Sequence, residues 1–357
     1  MLASDNLPGD KLAGDKLAGD ALPQHPVMTA GAIVGIAGPA LLAEEAALFR
    51  AFPPSGIILF ARNIQDPAQL AHLVAALRQV LPEQADLMVD QEGGRVARLR
   101  PPHWTAHPPA AALGRLFDID PAAGLRTAWL TGALIGLDCR NAGFTIAAAP
   151  VLDISIPGAH DVIGDRAFAQ DPVSVARLGA AVANGLLAAG ILPIGKHAPG
   201  HGRARVDSHL SLPRVDDGDL SADIRPFALR ADLPWMMTAH IVYRTLDPHL
   251  PATLSATVIQ TIIRGRIGFK GVLVTDDLAM KALSGTPADL AVQALAAGCD
   301  IALYCSGDFA LTEALLRACP AVTPATSQRL RAGRQAAANR RLNLDPASLK
   351  AERDRLL

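Results

Sequence analysis

The chain has 357 residues, half of them hydrophobic, and a formal net charge of −1 at pH 7. This length can bury one large core, so it fits a single α/β barrel or two ordinary domains. The near-neutral charge argues against a nucleic-acid partner or an anionic membrane surface. The four scattered cysteines lack CxxC spacing, and we therefore expect buried thiols rather than disulfides or a zinc site.

The first 27 residues differ in composition from the rest of the chain. They contain the short repeat "GDKLAGDKLAGDAL", in which charges interrupt every apolar pair, and they lack the apolar run of a secretory signal. We expect residues 1–27 to form a disordered extension, or to precede a true initiator at Met28. A docking tail is the alternative. Residues 28–357 are expected to form the folded domain.

After Met28, short apolar runs alternate with longer helical patterns. The runs are continuous in their apolar character, which is typical of strands buried on both faces of a parallel sheet. The predicted strands cover residues 31–38, 56–62, 85–92, 144–154, 191–197, 234–240, 271–277 and 300–306. The apolar stretch 28–47 contains glycines and a proline, so it indicates a strand leading into a helix rather than a membrane span.

Predicted helices separate these strands, and several open with an Asp-Pro pair at the cap position. They cover residues 66–80, 121–141, 171–189, 255–266 and 287–297. Beyond Pro320 we expect a basic amphipathic C-terminal helix that packs on the barrel and keeps its charges in water. Eight strands, each followed by a helix or a long loop, predict a single (β/α)8 barrel of the TIM type. A doubly wound open sheet is the structural alternative.

Polar residues stand at the carboxyl ends of the predicted strands, as Asp153 and His240 do. A barrel gathers such ends around one mouth, where barrel enzymes build their active sites, whereas an open sheet spreads them along a line. The pair Asp276–Asp277 closes a strand in "VTDDLAMKAL". Because neighbouring strand residues point to opposite sides, one carboxylate should face the mouth as a nucleophile or metal ligand and the other should contact the loop. Two helix caps are the alternative.

Two further segments bring acidic and basic residues together. In "VDQEGGRVARL", Asp90 closes a strand and Arg98 follows a glycine turn. Asp90 is therefore either an acceptor for sugar hydroxyls or one half of a structural Asp–Arg pair. In "DVIGDRAF", Arg166 lies in a loop with Asp161 and Asp165, where a guanidinium is able to clamp a polar substrate.

The segment "GKHAPGHGRARVDSH" concentrates titratable side chains between residues 195 and 209. Lys196 and His197 end a strand. Asp207 and His209 are two residues apart, so in an extended segment they lie on one side, with Cα atoms about 6.5 Å apart. A carboxylate placed there fixes the tautomer of the imidazole and raises its pKa, which suits general acid–base catalysis. A zinc site is the competing interpretation, with the ligands His197, His201, Asp207 and His209. In a third interpretation, the histidines only form hydrogen bonds within the loop.

The motifs together resemble family 3 glycoside hydrolases. "DQEGGRVARL", "APVLDI", "DVIGDRAF", "GKHAPGHG" followed by "DSH", and "GVLVTDDLAM" occur in the order and approximate spacing of that family, over residues 30–320. The bacterial β-N-acetylhexosaminidase branch is the most similar. Ala198 stands where that branch has phenylalanine, and "RARV" before Asp207 is more basic than expected. Both differences affect loop packing and the aglycone side. The resemblance implies a (β/α)8 barrel that functions as one domain.

The resemblance also implies a role for individual residues. Asp276 would be the nucleophile, and Asp207 with His209 would form the acid–base pair. The residues implied to bind the sugar are Asp90, Arg98, Arg166, Lys196 and His197.

The implied activity is that of a retaining exo-β-N-acetylglucosaminidase. It would release terminal GlcNAc from muropeptide-type substrates in peptidoglycan recycling, through a covalent glycosyl-aspartate. We expect a small-molecule substrate, no cofactor, no metal, no nucleic-acid or membrane partner, a monomer, and a cytoplasmic location. Because only 4% of the residues are aromatic, a small pocket for one terminal sugar is favoured over a long stacking cleft.

Three other functions are weighed against this one. The first is another family 3 β-glycosidase. The second is a metal-dependent amidohydrolase barrel, which needs an HxH pair at the end of its first strand, and residues 33–38 contain none. The third is a sugar-binding barrel without catalysis. Loss of the nucleophile or of the acid–base pair would mark it, yet Asp276, Asp207 and His209 are all present.

Overall fold

The computed structural model describes residues 28–158, 161–204, 211–216 and 218–357. The predicted extension, residues 1–27, lies outside the described residues. So do both members of the predicted acid–base pair, Asp207 and His209.

Eight parallel strands close into a barrel, as the sequence predicts. Each strand pairs with its neighbours in the chain, and the first strand closes the ring against the last. The strands are β1 (Ala30–Gly35), β2 (Pro54–Leu59), β3 (Asp86–Val89), β4 (Ile146–Ala147), β5 (Leu192–Ala198), β6 (Trp235–Thr238), β7 (Val272–Asp277) and β8 (Ile301–Tyr304). The closed ring excludes the open doubly wound sheet. Arg214–Val215 and Val242–Tyr243 pair in a separate short ribbon.

Helices cover the outside of the barrel. They are α1 (Ala43–Ala51), α2 (Pro67–Val80), α3 (Ala110–Ile119), α4 (Pro121–Asn141), α5 (Pro172–Ala188), α6 (Ser221–Leu229), α7 (Pro287–Ala297), α8 (Phe309–Ala318), α9 (Pro324–Arg340) and α10 (Pro346–Leu356). The predicted helix 255–266 is a π-helix over Val258–Arg266. Asp66, Asp120 and Asp171 accept hydrogen bonds from main-chain N–H groups at the starts of α2, α4 and α5. These are the Asp-Pro caps expected from the sequence.

Two layers of buried side chains form the core. One layer fills the barrel, with Ile33, Ile58 and Ile194 among its members. The alternate residues of the same strands, such as Val34 and Ile57, face the helices. The strands are therefore apolar on both faces, which is why their sequences lack alternation.

The C-terminal segment differs from the prediction in two respects. It contains two helices, and the second, α10, packs against α4. The charges of α9 are also not all in water. Arg334 donates to Asp86 at 2.6 Å and Arg329 donates to Asp300 at 2.6 Å, and each of these carboxylates is 3% exposed. The guanidiniums extend from the polar face of α9 to carboxylates at the amino-terminal edge of the barrel, and in this way fasten the helix to it.

The cysteines are free, as predicted. Cys139, Cys299 and Cys305 are buried and Cys319 is partly buried. None of the described helices is both long enough and apolar enough to cross a membrane.

Candidate active site

A cavity of about 720 Å³, counted with the space open to solvent, lies at the carboxyl ends of the strands. Six of the predicted site residues line it together: Asp90, Arg98, Arg166, Lys196, His197 and Asp276. They come from the ends of β3, β5 and β7 and from the loops after β3 and β4. The barrel thus brings to one place residues that are up to 186 positions apart (Asp90 and Asp276) in the chain.

Asp276 and Asp277 end β7, and both line the cavity. The Asp277 carboxylate is bound within the protein, because its Oδ1 accepts the Ala279 N–H and the Cys305 N–H, each at 2.9 Å. Asp276 Oδ1 accepts the Asp277 N–H at 2.8 Å. As the sequence predicts, one member of the pair contacts the loop. Asp277 therefore shapes the strand end and Asp276 is the candidate for chemistry.

The two neighbouring carboxyl groups have opposite pKa shifts. Burial by itself raises the pKa of Asp276, but the nearby His197 and His240 imidazoles lower it to about 2. Burial raises the pKa of Asp277, and its main-chain hydrogen bonds only partly offset that effect. Asp276 is thus the carboxylate that stays ionised over the whole range in which the protein would work. An ionised carboxylate is the form that a nucleophile requires.

Asp90 lies between two cations. Its Oδ1 is 3.1 Å from Lys196 Nζ and its Oδ2 is 3.1 Å from Arg98 Nη2. Burial opposes ionisation, yet Lys196 and Arg98 lower the pKa of Asp90. The Asp–Arg pair weighed from the sequence therefore exists, but it lines the cavity instead of sitting apart from it. The two interpretations of Asp90 are compatible.

Arg98 also packs against an aromatic ring. Its guanidinium carbon is 5.0 Å from the centre of the Phe60 ring, which is within the range of a cation–π contact. Phe60 lines the cavity as well. Arg98 is therefore held at the cavity wall by a carboxylate on one side and by a ring on the other.

Arg166 and Lys196 meet at Glu92, a residue that the sequence analysis did not assign to the site. Arg166 donates from Nε and Nη2 to the two Glu92 oxygens, each at 2.8 Å. Lys196 Nζ lies 2.6 Å from Glu92 Oε1. The side chains of Lys196 and Glu92 are 3% and 7% exposed. The predicted sugar-binding cations are therefore ordered by a buried carboxylate.

A fully buried carboxylate, Asp153, orients His197. Asp153 Oδ2 is 2.7 Å from His197 Nδ1, and Asp153 Oδ1 accepts the His201 N–H at 2.6 Å. The hydrogen bond at Nδ1 leaves the Nε2 edge of the His197 ring for the cavity, which His197 lines. Burial, followed by the nearby His197, lowers the pKa of His201 to about 4, so His201 is neutral at pH 7. Asp153 was expected only as a polar strand end and His201 only as a possible zinc ligand, and neither was assigned a role toward the sugar.

The loop after β4 forms one wall of the cavity through Val162 and Ile163. Arg95 holds this loop. Its Nη2 donates to the main-chain oxygens of Val162 and Ile163, each at 3.1 Å, and its Nε is 3.0 Å from Asp165 Oδ1. Arg166 is therefore the residue of "DVIGDRAF" that reaches the cavity, while Asp161 and Asp165 pair with Arg95 at the exposed side of the loop.

Two of the four proposed zinc ligands, His197 and His201, lie within the described residues. Within the described residues, no group of three or more His, Cys, Asp or Glu side chains is placed to hold a metal ion. The His197 ring is bound by Asp153 through Nδ1, whereas His201 contacts Asp153 through its main-chain N–H. The other two proposed zinc ligands, Asp207 and His209, lie outside the described residues.

Comparisons with known proteins identify the family of the chain. A family model described as "Glycosyl hydrolase family 3 N terminal domain" matches residues 40–332. A beta-hexosaminidase of Aromatoleum aromaticum is 37% identical over 340 residues, which cover 92% of this chain and 93% of that protein. NagZ from Neisseria gonorrhoeae, solved in complex with N-trifluoroacetyl-D-glucosamine, superposes with a TM-score of 0.82 at 32% identity, over 92% of this chain and 98% of that one. The same protein solved in complex with zinc ion superposes with a TM-score of 0.81 at 30% identity, with the same coverage.

Proposed function

The chain belongs to glycosyl hydrolase family 3, and on that premise we propose that it is a retaining exo-β-N-acetylglucosaminidase. The observation that carries the proposal is an ionised carboxylate, Asp276, in a cavity whose other polar residues suit a sugar. Asp90 offers acceptor oxygens to hydroxyl groups, while Arg98, Arg166 and Lys196 offer donors. The cavity lies at the mouth of the barrel, and its convergent polar side chains suit one terminal sugar.

The proposed reaction has two steps. In the first, an Asp276 oxygen attacks the anomeric carbon, and the bond to the aglycone oxygen breaks as that oxygen takes a proton. In the second, water attacks the anomeric carbon after giving up a proton, and the ester bond to Asp276 breaks. Two displacements at the same carbon retain its configuration. The low pKa of Asp276 makes it a weak base and a good leaving group in the second step.

The proton in both steps is assigned to His209, with Asp207 as its partner. This assignment rests on the resemblance of "DSH" to the family motif, since both residues lie outside the described part of the chain. An imidazolium paired with a carboxylate can replace the carboxylic acid that most glycosidases use, because either group donates a proton to the leaving oxygen and takes one from water.

The natural substrate is proposed to be GlcNAc linked to an anhydro-N-acetylmuramyl peptide, hydrolysed in the cytoplasm by a monomer during wall recycling. The similarity to beta-hexosaminidases and to NagZ supports the sugar. The small cavity supports an exo mode of attack, because a polysaccharide chain would need an extended cleft. Phe60 is the one Phe, Tyr or Trp side chain among the described residues that line this cavity.

The proposed reaction does not depend on zinc. Since a similar protein was solved in complex with zinc ion, zinc is able to bind proteins of this kind. The reaction proposed above needs no metal, because Asp276 supplies the nucleophile directly. We therefore propose that any zinc bound by this chain is not required for turnover.

A panel of nitrophenyl glycosides tests the proposed function. Hydrolysis of the β-N-acetylglucosaminide should greatly exceed that of the β-glucoside and the β-xyloside. Proton NMR of the first-formed product should show the β-anomer, as retention requires. Equal rates on all three glycosides would indicate another family 3 β-glycosidase, and no hydrolysis of any of them would favour a binding protein.

A further inference from the structure

Glu92 lines the cavity, and both of its carboxylate oxygens are bound by protein side chains. Arg166 takes both oxygens at 2.8 Å, and Lys196 Nζ is 2.6 Å from Oε1. The Glu92 side chain is 7% exposed, compared with 18% for Asp90. Glu92 is thus poorly placed to bind a sugar itself, although it touches two of the side chains assigned to that task.

The main chain around Glu92 is fixed independently of the cavity. Glu92 N donates to Val96 O at 2.9 Å, and Gly94 N donates to His107 O at 2.9 Å. Gly93 has a φ of +100°, and a Cβ on this glycine would stand 2.5 Å from the Pro108 oxygen. This turn admits glycine and little else. Glu92 therefore projects from a turn that holds its side chain at a defined point.

The charges around Glu92 explain why a carboxylate is needed there. Burial opposes its ionisation, but Arg166 and Lys196 hold the pKa of Glu92 well below its usual range. Arg166 and Lys196 are like charges that repel one another. Without Glu92, Lys196 would keep Asp90 as a partner, whereas Arg166 would lose both hydrogen bonds to a carboxylate and keep the one from Nη1 to the Val162 main-chain oxygen at 3.1 Å. The cations would then separate toward water.

We propose that Glu92 is a positioning residue, which sets the Arg166 guanidinium and the Lys196 ammonium at the distance and orientation that the terminal sugar requires. The inference rests on the proposed function, because it assigns Glu92 to the same sugar site. Glu92 acts through its neighbours: one oxygen directs Arg166 and Lys196 toward each other, and the other fixes the plane of the guanidinium. Bidentate pairing defines that plane more closely than a single hydrogen bond.

The test compares Glu92→Gln and Glu92→Asp with the wild-type protein on the nitrophenyl β-N-acetylglucosaminide. In Glu92→Gln we expect KM to rise about 10- to 100-fold, by analogy with residues that orient the ligands of a metal ion. kcat should change much less, because Asp276 is untouched. Glu92→Asp keeps the charge on a side chain one methylene shorter, so it should restore part of the KM. A crystal structure of Glu92→Gln should show Arg166 displaced from its wild-type position.

Asp300 supplies the matched control, because it is a buried carboxylate that binds two cations away from the cavity. It lies 2.8 Å from Arg264 and 2.6 Å from Arg329, and its side chain is 3% exposed. Asp300→Asn should lower the melting temperature as Glu92→Gln does, since each removes a buried carboxylate that neutralises two cations. The KM of the folded Asp300→Asn protein should equal that of the wild type.

Several results would overturn the proposal. One is a wild-type KM in Glu92→Gln, and another is a KM in Asp300→Asn that rises as much as in Glu92→Gln. If Glu92→Gln fails to fold, a wild-type KM in Glu92→Asp would be equally decisive. If the wild-type protein hydrolyses no β-N-acetylglucosaminide, the proposed function fails instead. In that case the crystal structure still decides the inference, because Arg166 and Lys196 in unchanged positions would exclude a positioning role for Glu92.

Discussion

Replacement of Asp276 by asparagine should change the pH dependence of stability in the opposite direction from replacement of its neighbour, Asp277. The pKa of Asp276 falls from 3.8 to about 2 in the folded protein. At about 1.36 kcal/mol per pH unit, this drop corresponds to about 2 kcal/mol of folding free energy. Because folding lowers the pKa of Asp276, the ionised carboxylate makes its full contribution to stability at pH values above its pKa in the unfolded chain. This contribution is lost as the pH falls from about 4 toward 2.

Urea unfolding at pH 7, 5, 4 and 3 measures this contribution. Asp276→Asn should be less stable than the wild type by about 2 kcal/mol at pH 7, and the difference should shrink between pH 5 and pH 3. Turnover should fall by several orders of magnitude at every pH, because an amide is a poor nucleophile.

Asp277→Asn is the matched control, since it removes the adjacent carboxyl group of the same strand. Burial raises the pKa of Asp277, so its effect on stability has the opposite sign. A carboxyl group whose pKa is raised by folding stabilises the folded state at pH values below its pKa in the unfolded chain. This stabilisation is lost as the pH rises through its pKa in the folded protein. The free energy of unfolding of the wild type, relative to that of Asp277→Asn, should therefore increase as the pH falls. A difference for Asp276→Asn that stays constant from pH 7 to pH 3 would refute the low pKa assigned to Asp276.

The remaining predictions concern the metal, the N-terminus and the acid–base pair. Exhaustive chelation should leave activity intact; loss of activity that zinc restores would favour the amidohydrolase interpretation. A chain that starts at Met28 should keep its melting temperature and kinetics, and a clear drop in either would show that residues 1–27 contribute to the fold. His209→Ala should cost about 10²- to 10⁴-fold on a disaccharide but little in the formation of the glycosyl-enzyme from a dinitrophenyl glycoside, with azide rescue of the second step. Asp207→Ala should show a milder form of this pattern, and equal losses on both substrates would exclude His209 as the proton donor.

The barrel itself could be predicted from the sequence because both faces of its strands are buried. Continuous apolar runs such as 271–277 leave few alternatives to a parallel sheet. The ends of the strands were less predictable. The run 144–154 yields a strand of only two residues, Ile146–Ala147, and beyond it pairing with β5 continues only as an isolated bridge between Val151 and Lys196.

Most of the predicted helices have a cap that can be recognised in sequence, and three helices that were not predicted lack one. α2, α4 and α5 begin at an aspartate whose side chain accepts main-chain hydrogen bonds. α1, α3 and α6 follow Leu42, Pro109 and Leu220, which provide no such hydrogen bond. Their stability comes from packing on the barrel, and tertiary packing leaves a weaker signal in the local sequence.

The candidate site was predictable to the extent that strand ends and motifs identify it. Three site residues lie where an apolar strand ends in polar residues, and the barrel brings these strand ends together. They are Asp90, Lys196 and Asp276. Glu92 and Asp153 were not predicted as site residues, because their importance depends on which side chains meet across different strands. A signal was present for both, since each stands at the end of a predicted strand and within a quoted motif.

Trapping of the covalent intermediate tests the central claim most directly. The enzyme would be treated with a 2- or 5-fluoro glycosyl inactivator of the gluco configuration. The 5-fluoro sugar keeps the 2-acetamido group of N-acetylglucosamine, and in the 2-fluoro sugar fluorine replaces that group. The labelled peptide would then be fragmented by mass spectrometry far enough to separate Asp276 from Asp277. The account predicts one label per chain, on Asp276, with inactivation that follows the extent of labelling. A label on Asp277 or on Asp90, or inactivation without any covalent label, would contradict it.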